Sequence, residues 1–406
     1  MKFKDFWLRI YHGIMKFAAY FLGIKEPNVI TGEKSILKAY DIVKSKNKVH
    51  PLIVTDKSIF ELGLITPLTD YLNKEKLHFT VFSNVVANPT IDNVEEGLSI
   101  YLKNNCDCII AIGGGSAMDC AKTIGARSAN PKKTVSKMKG LLKVGKRIPL
   151  FIAVPTTAGT GSETTVAAVI VDKANNDKYA INDPKLIPHY AILDPTLLVG
   201  LPKNISATTG MDALTHAVEA YIGHENTKKT KNYALSAIKL IYENLVDSVN
   251  DPKNLKKREY MQIAAYKAGV AFTRGYVGSV HALAHSLGGL YNIPHGLANA
   301  IILPYMLRQF GQLAYRKLAR IADSLNICKE GSIKEKAQAF INSIDELNNK
   351  LEVKNTFGHL IKDQDILFLA NHSYKEAVPL YPTPRTIEKL EYIDILFKLR
   401  ENSING

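Results

Sequence analysis

The sequence of 406 residues contains few cysteines and no long apolar segment. Four cysteines do not make the disulfide framework of a secreted protein of this length, so we expect free thiols in a reducing, cytoplasmic compartment. Uninterrupted apolar runs, such as Cys108 to Ile112, are far shorter than the roughly 20 residues of a membrane-spanning helix. The sequence also lacks internal repeats and low-complexity tracts. It therefore predicts a soluble globular protein with no transmembrane segment, long enough for two domains.

Positive charge exceeds negative charge, and the formal net charge is +14. The basic residues lie in small scattered groups, such as Lys143 to Arg147 and Lys228 to Lys231. No aromatic residues are interleaved with these groups, and no nucleic-acid-binding module accompanies them. We therefore expect a solvated basic surface and no nucleic-acid partner, although such a field also attracts an anionic cofactor.

The first residues, KFKDFWLRIYHGIMKFAAYFLG, mix aromatic and aliphatic side chains with charges. Charges interrupt the apolar run until Phe17, and no small-residue cleavage site follows, so the pattern differs from a secretory signal. We predict an N-terminal extension over residues 1–26 that contains an amphipathic helix. The favoured interpretation is docking on the protein's own body or on a partner subunit, and contact with a membrane surface is the alternative.

The next part of the chain alternates strand-like and helix-like segments. Strands are predicted at 50–56, 77–85, 106–112 and 149–157, and the helices between them at 58–64, from Thr90 to 101 and at 116–126. This alternation predicts a parallel sheet covered by helices, which is a Rossmann-like α/β dinucleotide-binding domain over residues 27–200. After Leu201-Pro202 the periodicity is helical, and residues 201–406 are predicted to form an all-helical domain.

A glycine-rich turn follows the third predicted strand, in the segment IGGGSAMDCAKTIGA from Ile112. The glycines Gly113, Gly114 and Gly115 allow a close approach of the backbone to a ligand, and Ser116 begins a helix whose N–H groups favour a phosphate. The alternative is a tight turn between strand and helix that binds nothing. A second loop of small and hydroxyl residues, PTTAGTGSETT, follows the fourth strand and also suits contact with a nucleotide.

Asp56 ends the first predicted strand. A carboxylate at this position accepts hydrogen bonds from both ribose hydroxyls of NAD and repels the 2′-phosphate of NADP. Asp56 favours NAD over NADP for this reason. The alternative is that Asp56 only caps the turn that follows the strand.

Histidines are concentrated in HALAHSLGGLYNIPH, where His281 and His285 are four residues apart and His295 follows a proline. Asp212 and His216 have the same spacing in GMDALTHAVEAY. Residues four apart project from one face of a helix, so each pair presents two ligand atoms together. One carboxylate and four imidazoles suit a divalent cation, and a catalytic site leaves one coordination position open for substrate. The spacing alone does not decide which four of the five residues bind the metal.

Four motifs together resemble the iron-containing, or group III, alcohol dehydrogenases: GGGSAMDCAK (113–122), PTTAGTGSE (155–163), ATTGMDALTHAVEAY (207–221) and HALAHSLGGLYNIPHGLANAIILPY (281–305). The similarity extends from about residue 27 to the C-terminus. The helical histidine motif is highly specific, and the glycine loop is less so. The resemblance implies an α/β dinucleotide-binding domain followed by an all-helical metal-binding domain, which is the dehydroquinate synthase-like fold.

The resemblance also implies roles for individual residues. The metal, Fe²⁺ or Zn²⁺, is expected on Asp212, His216, His281 and His295, with His285 near the nicotinamide and not a ligand. The residues expected to contact NAD are Asp56, Gly113, Gly114, Gly115, Ser116, Thr156, Thr157, Thr160 and Lys178. The expected reaction is reversible hydride transfer between a small alcohol or aldehyde and NAD(H), with His285 as a relay for the alcohol proton. A homodimer or a larger homo-oligomer is also expected.

Just before His281 the sequence has FTRGYVGSV, where many members of the family carry a smaller run rich in Asn and Gly. Arg274 and Tyr276 either shape the substrate pocket or pack beside it, so the substrate is not predicted from sequence. The alternatives to an alcohol dehydrogenase are a glycerol-type or other polyol dehydrogenase of the same superfamily and a sugar-phosphate lyase. A non-catalytic assembly protein, with an N-terminal segment that drives association, is a third alternative.

Overall fold

The computed structural model describes residues 3–21, 23–175 and 177–400. The chain forms two compact units. The first comprises Leu22–Gly200 and Lys253–Gln262, and the second comprises Met1–Phe21, Leu201–Pro252 and Ile263–Gly406. The first unit therefore includes a short segment from the helical half of the sequence.

The strands of the described residues all lie in the first unit. They are β1 Asn28–Thr31, β2 Pro51–Asp56, β3 Thr80–Val85, β4 Cys108–Gly113, β5 Gly140–Leu141, β6 Leu150–Pro155, β7 Ala167–Asp172, β8 Asp177–Asn182 and β9 Tyr190–Leu193. Six of them form a parallel sheet in the order β1-β9-β6-β4-β2-β3, and β5, β8 and β7 form a small second sheet in that order. Every residue of β4 and β6 is buried, as expected for central parallel strands covered on both faces.

The α-helices of the described residues are α1 Phe3–Phe21, α2 Lys38–Ser45, α3 Lys57–Glu61, α4 Thr66–Lys74, α5 Ile91–Lys103, α6 Gly115–Ala129, α7 Lys203–Ile222, α8 Lys228–Asn250, α9 Leu255–Gly275, α10 Ser279–Tyr291, α11 His295–Phe310, α12 Gln312–Ser324, α13 Ile333–Lys350, α14 Ile366–Ala377 and α15 Lys389–Arg400. Short 3₁₀ helices lie at Ser35–Leu37, Ser136–Met138, Ser162–Thr164, Pro184–Leu186, Pro195–Leu198, Gly358–Leu360 and Asp363–Asp365. The predicted fold class, a parallel α/β sheet followed by a helical half, is confirmed.

Local sequence explains how the helices of the first unit are placed on the sheet. The Thr90 hydroxyl accepts a hydrogen bond from Asn93 N at 3.2 Å, so Thr90 is the N-cap of α5. A Cβ at Gly97 would lie 2.4 Å from Ile124 of α6 and 3.0 Å from the Phe82 ring, so only glycine permits this close packing of α5 against its neighbours.

The order of the strands fixes where a ligand can bind to the large sheet. From β2 the chain first adds β3 on one side and then returns to place β4 on the other side. Ligands of open α/β sheets bind at the carboxyl ends of the strands beside such a reversal. Asp56 and Gly113 are the last residues of β2 and β4, so both lie at this point.

In the second unit, α7 is buried along nearly all of its length from Ser206 to Ile222. It packs against α8, α11 and α12.

α1 belongs to the same unit, and its Asp5 carboxylate accepts hydrogen bonds from the backbone N–H and the hydroxyl of Thr386. Other side chains of α1 are exposed, including Phe6, Trp7, Ile10 and Ile14. Among the helices described, none combines the length and the apolar character needed to cross a bilayer.

All four cysteines are free thiols, and Cys106, Cys108 and Cys120 are buried in the first unit. Burial raises the pKa of each of these three thiols. Within the Cys-Asp-Cys sequence at 106–108 the two thiols are buried, and the Asp107 carboxylate between them accepts backbone hydrogen bonds from Val49 and His50.

Candidate active site

Three helices of the second unit bring one carboxylate and three imidazoles together. Asp212 and His216 lie on α7, His281 lies in the first turn of α10, and His295 is the first residue of α11. One ligand atom from each of the four residues lies within 4.8 Å of the others. Asp212 Oδ1 is 3.5 Å from His295 Nε2 and 3.9 Å from His281 Nε2. The two i, i+4 positions of α7 thus meet two histidines that are distant from them in sequence.

Glu219 holds His281 in one orientation. It lies seven residues after Asp212 on the same face of α7, and its carboxylate is 2.6 Å from His281 Nδ1. The same carboxylate accepts hydrogen bonds from Gly278 N at 2.8 Å and Val280 N at 2.7 Å. Because Nδ1 donates its proton to Glu219, the Nε2 lone pair of His281 points toward the cluster, as in most metal-binding histidines.

Burial controls the charges in this cluster. It lowers the pKa of His281 well below its usual range, so the imidazole is neutral, as a metal ligand must be. Burial also raises the pKa of Glu219 to about 7, although the hydrogen bonds from Val280 and Gly278 stabilise the carboxylate. These donors belong to the N-terminus of α10, where the helix dipole also favours a negative charge.

Asn299, four residues after His295 on α11, was not predicted from the sequence. Its side chain is fully buried, and Nδ2 donates to Asp212 Oδ1 at 2.7 Å. The same Nδ2 lies 3.2 Å from His281 Nε2 and 3.1 Å from His295 Nε2. A donor that contacts three of the four candidate ligand atoms shows that their lone pairs converge on one point.

This set of donors fits a divalent transition metal. Three imidazole nitrogens and one carboxylate oxygen are ligands that both Fe²⁺ and Zn²⁺ accept. Asp212, His216 and His281 are buried, whereas the His295 side chain is 39% exposed, so the cluster is accessible from the His295 side. One open side is the arrangement that a catalytic metal needs for its substrate.

His285 lies next to the cluster but has a different partner. Its ring stacks on the His295 ring at 5.1 Å between centroids, and its Nδ1 is 2.6 Å from Glu376 Oε1. Tyr381 also donates its hydroxyl to Glu376 Oε1 at 2.8 Å. The side chain of His285 is 41% exposed. Glu376 and Tyr381 were not predicted, because they follow His285 by about 90 residues with no recognisable spacing.

In the first unit, the glycine turn between β4 and α6 packs tightly against the second predicted loop. A Cβ at Gly113 would lie 2.7 Å from the Ala117 Cβ, so this position requires glycine. A Cβ at Gly115 would meet Thr160 Cγ2 at 3.2 Å, and one at Gly114 would lie 3.7 Å from Thr157 Cγ2. Thr156, which is buried, donates its backbone N–H to Gly113 O at 3.1 Å. The structure therefore brings the two loops together.

Asp56 lies beside the same turn. Its Oδ1 accepts a hydrogen bond from Ile59 N at 3.0 Å, so the carboxylate caps the short helix α3. Its Oδ2 lies 3.5 Å from the position of a Cβ on Gly113. The capping role that was the alternative for Asp56 is therefore real, and the same carboxylate also faces the glycine turn.

Ser116 and Lys178 are linked through Asn88, which was not predicted. The Ser116 hydroxyl accepts a hydrogen bond from Asn88 N at 3.3 Å, and Lys178 Nζ donates to Asn88 Oδ1 at 2.7 Å. Asn88 has a φ of 57°, which asparagine tolerates better than most residues. Lys178 is thereby placed near the start of α6, where its charge suits a phosphate.

Lys122 binds the end of the second loop, PTTAGTGSETT, through its ammonium group. It was also not predicted as a functional residue. It is fully buried, and its Nζ lies within hydrogen-bonding distance of five oxygens of Ser162, Thr165 and Ala167, at 2.7–3.2 Å. Burial lowers the pKa of Lys122 to about 8, and the nearby carboxylates of Asp119 and Glu163 oppose this shift. The motif GGGSAMDCAK could have indicated Lys122, because Asp119 and Lys122 are three residues apart and therefore neighbours on one face of α6.

The two unusual residues before His281 are also placed by the structure. Arg274 donates a hydrogen bond to Val270 O within its own helix, at 3.2 Å. Tyr276 has a φ of 61° and borders a small cavity together with Tyr11, His12 and Glu225. Tyr276 therefore packs toward α1.

The parallel sheet with its glycine turn and the cluster around Asp212 are the features expected of a metal-dependent enzyme that uses a dinucleotide. Matches to known protein families identify the family within this class. Residues 27–195 match the family model described as iron-containing alcohol dehydrogenase, and residues 206–399 match the C-terminal model of the same family. The chain belongs to the iron-containing alcohol dehydrogenase family and is an oxidoreductase.

Individual relatives agree with this assignment. The chain is 38% identical to lactaldehyde reductase of Escherichia coli (strain K12), over 77% of this chain and 82% of the relative. It is 34% identical to the NAD-dependent methanol dehydrogenase of Bacillus methanolicus, over 86% of this chain and 92% of that protein. Among solved structures, a 1,3-propanediol oxidoreductase superposes with a TM-score of 0.89 and 33% identity, covering 93% of this chain and 99% of the other. These matches favour a dehydrogenase over the sugar-phosphate lyase and the assembly protein.

Proposed function

We propose that this protein catalyses reversible hydride transfer between a small alcohol or aldehyde and NAD(H), with Fe²⁺ or Zn²⁺ held by Asp212, His216, His281 and His295. The observation that carries the proposal is the convergence of these four ligand atoms within 4.8 Å, with Glu219 fixing His281. The names of the relatives support an alcohol or aldehyde substrate and NAD, since they include a lactaldehyde reductase and an NAD-dependent methanol dehydrogenase.

An ion held by these four residues would supply a Lewis acid, which lowers the pKa of a coordinated alcohol oxygen by several units. NAD supplies the hydride acceptor, with its pyrophosphate at Gly113, Gly114, Gly115 and Ser116. Thr156, Thr157 and Thr160 line the nucleotide, and Lys178 contributes a positive charge. Asp56 contacts the ribose and disfavours a 2′-phosphate. Because Asp212, His216 and His281 are buried, an ion held by them would be shielded from water on that side.

His285 is proposed to relay the proton that the alcohol loses. Its Nδ1 faces Glu376, so Nε2 is the basic ring nitrogen of the neutral imidazole. The carboxylate of Glu376 stabilises the imidazolium that forms when Nε2 takes a proton, and Tyr381 holds that carboxylate in place. Partial exposure of His285 allows the proton to pass on to solvent.

Metal analysis and turnover of His281→Ala test the proposal. The variant is expected to lose both the bound metal and NADH formation with short-chain alcohols, because the remaining ligands lose a buried imidazole. His50→Ala is a matched control, since His50 contacts Thr80 in the first unit and not the cluster. Full activity in His281→Ala, or absence of NADH formation by the wild type across alcohols, diols and aldehydes, would contradict the proposal.

Replacement of Asp56 by Asn tests the proposed preference for NAD. Asn keeps an oxygen that caps α3 but removes the charge that repels a 2′-phosphate. The ratio of kcat/KM for NADP⁺ to that for NAD⁺ is expected to rise roughly tenfold, which corresponds to about 1.4 kcal/mol. Glu61→Gln removes an equal charge from the exposed part of α3 and is expected to leave the ratio unchanged.

The same substrate panel distinguishes a simple alcohol dehydrogenase from a glycerol-type or other polyol dehydrogenase by the ranking of kcat/KM. Light scattering tests the proposed homodimer or larger homo-oligomer. The free thiols support the proposed cytoplasmic compartment, where thiols stay reduced.

A further inference from the structure

Two histidines outside the Asp212 cluster contact each other where α1 packs against the rest of the second unit. His12 of α1 and His224, in the turn after α7, approach with Nδ1 of His12 3.1 Å from Nε2 of His224. The other ring nitrogens face backbone carbonyls: His12 Nε2 is 2.5 Å from Pro379 O, and His224 Nδ1 is 2.8 Å from Thr383 O. Each imidazole is therefore fixed on both sides.

The positions of the protons follow from these partners. A carbonyl oxygen only accepts hydrogen bonds, so His12 Nε2 and His224 Nδ1 must both carry hydrogen. A neutral imidazole carries one hydrogen, which leaves a lone pair on each of the two nitrogens that face each other. Two lone pairs at 3.1 Å repel unless a cation lies between or beside them.

The geometry matches the coordination of a metal ion. Two imidazole nitrogens at 2.0–2.1 Å from a tetrahedral Zn²⁺ are about 3.3 Å apart, close to the distance found here. Donation of the outer N–H group to a carbonyl is the usual second partner of a metal-binding histidine. A carboxylate is also near, since Glu225 Oε1 lies 4.0 Å from His224 Nε2. We propose that His12 and His224 bind a divalent transition-metal ion of the zinc type that fastens α1 to the second unit, with Glu225 as the nearest carboxylate.

Burial and the nearby charges determine how readily this pair holds a proton or a metal ion. His12 is 6% exposed, and burial lowers the pKa of both imidazoles, so a proton is bound weakly at neutral pH. The positive charge of Arg9 opposes any cation at His224, and the carboxylate of Glu225 compensates for it. A cavity of about 20 Å³ borders both histidines, with room for about one water molecule as a further ligand.

The single tryptophan of the chain, Trp7, provides a readout that is independent of activity. Trp7 lies five residues before His12 on α1, a rise of about 7.5 Å along the helix. Trp7 and His12 lie on the same helix, so a titration with the quencher Co²⁺ is expected to give saturable quenching of Trp7 if the ion binds at His12. Zn²⁺ should reverse the quenching by competition.

Variants assign the quenching to one site. Asp212→Ala, which removes a ligand of the cluster on α7, is expected to keep it. His224→Gln is expected to abolish it, and Glu225→Gln to weaken the apparent affinity for Co²⁺ while both imidazoles remain. His50→Gln is the matched histidine control and should behave as the wild type. Thermal unfolding and circular dichroism establish that each variant is folded.

Zinc content after equilibrium dialysis gives a second measurement, with one ion fewer per chain expected in His224→Gln than in the wild type. Two results would overturn the proposal. One is quenching that is the same in His224→Gln and the wild type. The other is a wild type that shows no saturable quenching at Co²⁺ concentrations that fill the Asp212 cluster, because the two imidazoles then share a proton and not a metal.

Discussion

The two histidine clusters of the second unit orient their imidazoles with different partners. In the cluster of Asp212 and three histidines, the outer nitrogen of His281 donates to the buried carboxylate of Glu219. In the pair of His12 and His224, the outer nitrogens donate to the carbonyls of Pro379 and Thr383. Both arrangements aim a lone pair inward, but only at His281 does the orienting partner itself carry a negative charge.

This difference has an energetic consequence. A charged acceptor makes the imidazole more basic and strengthens its bond to a metal, whereas a carbonyl mainly fixes the orientation. On the proposed function, the cluster at Asp212 is therefore suited to hold an ion through catalytic turnover. The pair at His12 is suited to hold two segments together.

Among variants that test this difference between the two clusters, Glu219→Gln is expected to have the largest effect, a loss of metal affinity. The amide has only one accepting oxygen for the three donors that Glu219 now satisfies, and it removes the negative charge. Metal affinity at the Asp212 cluster should fall by about 10–100-fold, measured by competition with a chelator. Glu376→Gln is the matched control, because it removes the carboxylate partner of a histidine that is not a proposed ligand. Equal loss of affinity in both variants would contradict the role of Glu219.

A smaller effect is expected from Gly278→Ala, which disturbs both clusters. The added Cβ would lie 2.6 Å from Glu219 Oε1 and 3.3 Å from Thr383 Cγ2. Overpacking of this kind costs roughly 1–3 kcal/mol and should lower Tm. Gly289→Ala, inside the helix α10 that Gly278 precedes, meets nothing within 4 Å and should leave Tm unchanged or slightly raised. A wild-type Tm in Gly278→Ala would show that the contact relaxes without cost.

The smallest effect is expected at Glu391. This residue pairs with Arg385, which follows the segment that carries the carbonyls of Pro379 and Thr383. Arg385 donates to both carboxylate oxygens of Glu391, at 2.6 and 2.8 Å. Burial alone would raise the pKa of Glu391, but the hydrogen bonds from Arg385, Glu388 N and Gln309 outweigh it and lower the pKa from 4.5 to about 2. The stabilisation is therefore complete above pH 4.5 and is lost as the pH falls toward 2.

Glu391→Gln should destabilise the protein by roughly 1–2 kcal/mol at pH 7, a value reduced for partial exposure. The difference in Tm from the wild type should shrink between pH 4.5 and 2. Glu352→Gln removes an exposed partner of Lys203 and should have little effect. A difference in Tm that stays constant down to pH 2 would argue against the ion pair.

Periodic patterns in the sequence predicted the central elements well. The predicted strands at 50–56, 106–112 and 149–157 correspond to β2, β4 and β6, because buried parallel strands are continuous apolar runs. β1 and β9 were not predicted, since four-residue strands give no periodicity to detect. The small sheet of β5, β7 and β8 was also missed, because β5 has only two residues and β8, DKYAIN, is largely polar. β7, AAVIVD, is a short apolar run that was detectable in principle.

Helical spacing also indicated the pairs Asp212 with His216 and His281 with His285. It did not decide which of His281 and His285 binds the metal. The resemblance to a known family made that distinction. Glu219 and Asn299 were detectable in principle, because they continue the faces of Asp212 and His295 at helical intervals. The pair of His12 and His224 was not, because 212 residues separate two histidines that have no repeating context.

The placement of the thiols has a practical consequence for biophysical work. Cys106, Cys108 and Cys120 are buried with raised pKa values, whereas Cys328 is partly exposed. A maleimide dye or spin label should therefore attach to one position of the native chain, without mutagenesis. Distances from that position to paramagnetic ions would then locate each bound metal separately.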